Sequence, residues 1–173
     1  MSASATRPSY TARPGVTFPD WSVVASPAVR DALLAMVGSH HVCNRWSGYD
    51  AGTDRVRVAL LQFYVKNGRA PTARALAERV HLSEQAVRPL LEELRRRDLV
   101  VLDGTQIVGA CPFTDRDTGH RVTLGGRVLN AMCAVDALGI GAMADRDTTI
   151  ESRCRRCGAP IRIATQHRGR LLA

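Results

Sequence analysis

Acidic side chains and aromatics are what this chain has little of. Sixteen Asp and Glu face 24 Lys and Arg across 173 residues, and there are only two Trp, three Tyr and three Phe. No apolar run approaches the roughly 18–20 residues that a membrane span needs, so no membrane partner is expected. Met1 to Trp21 mixes Ser, Thr, Pro and Arg without the apolar stretch of a secretory signal. No internal repeat or low-complexity segment is present. Hydrophobic residues make up 45%, which excludes a disordered chain and is enough for a core. The expectation is a soluble, cytoplasmic protein of one domain, or one domain with a small appendage.

The net charge of +8 invites a nucleic-acid reading, so its distribution matters. The basic excess lies in residues 51–100 and after residue 150, whereas residues 101–150 are mildly acidic. The cysteines are Cys43, Cys111, Cys133, Cys154 and Cys157, an odd number with no export signal. That pattern argues against a disulfide framework and for metal-binding or catalytic thiols. Cys43 and Cys111 read instead as small buried hydrophobes. His40 and His41 beside Cys43 lack partners at ligand spacing and read as surface loop.

Residues 1–25, with Pro8, Pro14 and Pro19, read as a flexible arm. Ser26-Pro27 is a cap followed by Pro at the first helical position, with Gly38 as a stop. Asp54 to Lys66 is a helix ending at Asn67-Gly68. Thr72 and Ser83 cap two more, the second with Val87, Leu90, Leu91 and Leu94 on one face. Pro89 is expected to bend that helix or delay its start. Leu99–Leu102 and Gln106–Val108, joined through Asp103-Gly104, form a hairpin. Three helices and a hairpin give a winged helix-turn-helix-like region over 26–108. DNA is a conceivable partner but not a favoured one, because Arg95-Arg96-Arg97 lies at the C-terminal end of the helix that would read bases.

The fold class expected is α+β. The helical region is followed, over 109–173, by a small, mostly antiparallel sheet with a buried catalytic helix. Strands are expected at His120–Leu124, Thr148–Cys154 and Pro160–Ala164, and a helix over about 127–138. That helix is apolar nearly all round, which predicts burial.

Cys133 and Asp136 stand at i and i+3, one turn apart on that helix. Desolvation of the carboxyl would raise its pKa and make it a proton donor near neutral pH. A thiolate beside it is a soft ligand for thiophilic metals. The pair reads either as a metal anchor with a poised acid, or as a packed thiol beside an Asp held by Arg127 or Arg121.

Gly126-Arg127 and Asn130-Ala131-Met132-Cys133-Ala134-Val135-Asp136-Ala137-Leu138 resemble the catalytic-helix segment of the alkylmercury (organomercurial) lyases. Ser152-Arg153-Cys154 and Gly158-Ala159-Pro160 resemble a later strand segment of that family, in the same order and at a similar separation. The resemblance spans about residues 54–165, and its specific part is 107–163. It implies a carbon–mercury lyase that needs no added cofactor, with mercury as substrate and product. Cys133 would then be the first thiol and Asp136 the acid, and Cys154 matches a cysteine considered structural. Its partners would be an organomercurial and a thiol reductant or mercuric-ion acceptor.

The family's second catalytic cysteine lies beyond the Gly-Ala-Pro strand and has no match up to Ala173. A C-terminally shortened member is therefore expected, with another thiol in that role. Cys157 is the preferred substitute, since Cys154-x-x-Cys157 can clip a soft metal, and Cys111 ranks below it. The alternatives are a soft-metal-binding winged-helix protein acting as sensor or sink through Cys133, Cys154 and Cys157, or a shortened family member without lyase turnover.

Overall fold

A computed structural model describes residues 11–13, 16–17, 24–39 and 50–172. The chain divides into two compact units, Met1–Asp50 and Ala51–Ala173. In the first, β1 (Thr11–Arg13) and β2 (Val16–Thr17) form a short antiparallel ladder within the expected arm. The rest of that arm, apart from residues 24 and 25, lies outside the described residues, as do His40, His41 and Cys43. Helix α1 (Pro27–Ser39) begins as its sequence requires, with the Val29 N–H donating to Ser26 Oγ at 3.4 Å.

The second unit begins with α2 (Ala51–Asn67), α3 (Ala73–Val80) and α4 (Glu84–Arg96). Thr72 Oγ1 accepts from Ala75 N at 3.1 Å, and Ser83 Oγ from Ala86 N at 3.2 Å. The cap at Ser83 sets the first turn of α4, so Pro89 does not delay its start. Val56, Leu60, Leu76, Val87 and Leu94 are buried where the three helices meet. Each arginine at the end of α4 has a carboxylate partner: Arg95 takes Glu92 at 2.7 Å, and Glu93 takes both Arg96 and, at 2.6 Å, Arg97. This basic run is a set of local ion pairs.

Strands β3 (Val100–Asp103), β4 (Gln106–Ala110), β5 (Phe113–Thr114), β6 (Arg121–Leu124), β7 (Arg127–Ala131), β8 (Thr148–Arg153), β9 (Pro160–Gln166) and β10 (Leu171–Leu172) form one antiparallel sheet in the order β10-β9-β8-β6-β7-β5-β4-β3. The architecture is α+β, with five helices among the described residues. No helix there is long and apolar enough to cross a membrane. Phe113, buried on β5, stacks on Tyr64 of α2 with ring centroids 5.2 Å apart, which fastens helices to sheet.

The helix expected over 127–138 is corrected. Gly125 and Gly126 have φ of +55° and +79°, and Leu124 pairs directly with Arg127. Two successive residues at positive φ make the two-residue turn whose twist suits a hairpin. The chain therefore folds back as β7, with Leu129 and Ala131 buried, and helix α5 (Ala134–Ala144) starts only after Cys133. Nor is that helix buried all round: Ala137 and Ile140 face the core, whereas Val135 is 76% exposed.

Candidate active site

Cys133 is the N-cap of α5. Its backbone is extended, and its Sγ accepts from Asp136 N at 3.4 Å, as a Ser or Asp oxygen does in a conventional cap. The side chain is exposed at the positive end of the helix dipole. Asp136 lies in the first turn and is half-buried rather than buried. Neither of its expected arginine partners holds it, for Arg121 pairs with Asp117 at 2.9 Å and Arg127 is exposed.

The group against its carboxylate is a second thiol. Cys111 Sγ donates to Asp136 Oδ1 at 3.6 Å. Sequence reasoning ranked Cys111 below Cys157 because Cys154-x-x-Cys157 forms a clip by itself and Cys111 read as a small buried hydrophobe. The strand register was the missing signal. β5 pairs Phe113 with Ala131, and the Met132 N–H donates to the Pro112 carbonyl at 2.9 Å. That pairing keeps the turn carrying Cys111 beside the start of α5, where Cys111 meets Asp136.

The electrostatics shift both thiols towards the protonated form. Burial pushes Cys111 up to about 12, helped by the Asp136 carboxylate and by Cys133, with Arg57 opposing. Cys133 is also raised, first by burial and then by its hydrogen bond to the Asp136 carboxylate. The backbone N–H groups of Asp136 and Val135 pull the other way.

Cys133 opens onto a cavity of about 1010 Å³ walled by Met132, Leu138, Ile150, Ile161 and Ile163. Its polar lining includes His120, whose Nδ1 lies 2.9 Å from Ser152 Oγ, and Cys154. Sequence reading passed over His120. Its signal was the alternating strand after it, which sets Arg121 opposite Glu151 and so brings His120 to Ser152.

Cys154 and Cys157 sit at the β8–β9 turn. Cys154 N donates to Ala159 O and Gly158 N to Cys154 O, each at 2.8 Å. The Cys154 thiol is drawn below its ordinary value by the N–H of Cys157, then that of Arg156, then the Cys157 side chain. Cys157 thus partners Cys154, and Cys111 is the thiol that meets Asp136. Among the described residues no group of three or more His, Cys, Asp and Glu side chains is arranged to hold a metal ion.

Comparison with known proteins bears on this geometry. Residues 113–173 match the family model described as MerB, alkylmercury lyase. A solved structure titled the mercury-bound form of MerB2 is similar at a TM-score of 0.58 and 27% identity, over 69% of this chain. The chain spans 57% of the length of that one. No curated protein matches.

Proposed function

We propose that this chain is an alkylmercury lyase and cleaves carbon–mercury bonds by protonolysis. Cys133 takes the organomercurial as a thiolate adduct, and Asp136 delivers the proton to the departing carbon. The observation that carries the reading is the Cys133 thiol at the head of α5, open to an apolar-walled cavity, with Asp136 in the same first turn. A thiophilic metal binds sulfur as thiolate, so capture of the substrate displaces the Cys133 proton. The helix N-terminus and the Asp136 N–H favour the anionic sulfur as that proton leaves. Thiolate donation to mercury makes the attached carbon more basic. An acid one helical turn away is then suitably placed to protonate it. Met132, Leu138 and Ile150 offer an apolar wall to the organic group.

Protonolysis moves no electrons to or from an outside carrier, so no cofactor enters the scheme. Mercury arrives bonded to carbon and leaves bonded to sulfur, which requires an external thiol to take the mercuric ion away. We keep the winged-helix-like reading of α2, α3, α4 and the β3–β4 hairpin as that of a scaffold, because the arginines at the end of α4 are held in ion pairs.

Incubation with phenylmercuric acetate and excess thiol, with benzene measured in the headspace, tests the assignment. Benzene release that stops in Cys133→Ala and in Asp136→Ala is the expected result. Turnover that survives either substitution refutes it.

A further inference from the structure

We infer that Cys111 is the second sulfur ligand of the mercury site, joined to Cys133 by the ion across the end of the β5–β7 ladder. Two observations carry this independently. The β5–β7 ladder ends at Phe113↔Ala131, and the Met132 N–H donating to the Pro112 carbonyl keeps the segments that carry Cys111 and Cys133 side by side beyond it. Separately, both sulfurs touch one residue: Cys111 Sγ lies 3.6 Å from Asp136 Oδ1, and Cys133 Sγ lies 3.4 Å from Asp136 N. Mercury(II) favours two collinear sulfur ligands, so a pair is sufficient and no third or fourth donor is needed.

The assignment rests on the lyase reading for its chemistry and supplies the proton that reading leaves without a source. With R–Hg on Cys133, the Cys111 S–H proton passes to Asp136 Oδ1, and the Cys111 sulfur bonds to mercury. The mercury–carbon bond then breaks with its electron pair remaining on carbon. Asp136 gives carbon the proton, and R–H leaves. Mercury remains as a dithiolate of Cys111 and Cys133, in an unchanged oxidation state. The proton lost by Cys111 is the one gained by the hydrocarbon, and Asp136 ends as it began. Arg57, whose charge bears on Cys111, favours the thiolate as it forms.

The experiment uses the full chain, loaded with one equivalent of mercuric chloride, and counts sulfur ligands by X-ray absorption at the mercury edge. Two sulfurs are expected in the wild type and in the Cys154→Ser/Cys157→Ser double variant, and one in Cys111→Ser. A second sulfur that persists in Cys111→Ser, or disappears in the double variant, overturns the assignment. The double variant leaves Cys111 untouched, so the test stands even if Cys111→Ser folds poorly. Benzene release from phenylmercuric acetate, followed in parallel, should fall about 100-fold in Cys111→Ser, the scale of a lost proton-delivery group. Release at the wild-type rate in that variant overturns the assignment and leaves the lyase reading intact. A wild type that binds mercury through Cys111 but releases no benzene sinks the lyase reading and upholds the ligand pair.

Discussion

Gly169→Ala is the substitution for which the structure gives the sharpest stability prediction. Gly169 has φ of +77°, and a methyl added there would lie 2.2 Å from the Gly141 carbonyl carbon and 2.3 Å from Ala142 N. Both are backbone atoms of α5, so no side-chain rotation relieves the overlap. The left-handed backbone costs an alanine about 1–2 kcal/mol. Forcing helix and turn apart adds about 1–3 kcal/mol, the usual scale of overpacking. A loss near 3 kcal/mol corresponds to a fall in Tm of roughly 6–12 °C for a chain of this size. Gly104→Ala is the control, for Gly104 has φ of +58° and nothing within 4 Å of the added methyl. It should lose only the conformational part, about 1–2 kcal/mol. Thermal melts of both variants, followed by circular dichroism, separate the two contributions. If Gly169→Ala melts no lower than Gly104→Ala, the close contact between the β9–β10 turn and α5 is not what requires glycine there.

Three further outcomes are expected. Cys133→Ser should abolish benzene release while leaving Tm within about 1 °C of the wild type or slightly above it, because serine caps a helix well; a large fall in Tm would show that the sulfur has a packing role. Thr165→Val should cost about 1–3 kcal/mol in a denaturant titration, since it strips the buried Thr148 N–H of the Thr165 Oγ1 acceptor at 2.8 Å; an unchanged midpoint would mean that amide finds another partner. Iodoacetamide labelling should reach Cys154 at lower pH than an ordinary thiol and leave Cys111 unlabelled at neutral pH. A lowered thiol pKa keeps thiolate present as pH falls, whereas one near 12 withholds it, so equal labelling at pH 7 would contradict both shifts.

Much of the helical region was legible because local rules govern it. Thr72 and Ser83 cap the helices that follow them, and the apolar spacing of Val87, Leu91 and Leu94 is the buried face of α4. The segment around the site misled because its apolar run satisfied a helix and a strand equally over Arg127–Ala131. Gly125-Gly126 held the answer, as a hairpin turn between two strand-like segments. That misreading propagated. With Cys133 placed inside a helix, its environment was expected to be dry, and the Cys111 thiol beside Asp136 was out of sight. Asp136 was identified from its spacing to Cys133, which a helix start preserves as well as a helix interior does. Cys111 was undervalued because a contact 25 residues away depends on ladder register, which composition does not encode.

A sulfur in the N-cap position has a consequence beyond reactivity. The sulfur that caps α5 is the same sulfur a soft ion would claim, and it accepts from the amide of Asp136. Occupancy of the site and integrity of the first turn therefore draw on one atom. A metal-bound thiolate keeps lone pairs for N–H donors, so an ion that takes the sulfur leaves that amide bonded to a more anionic acceptor. The Asp136 amide is thus a built-in gauge: its exchange with solvent deuterium and its chemical shift should track the load on Cys133, with no label attached to the protein.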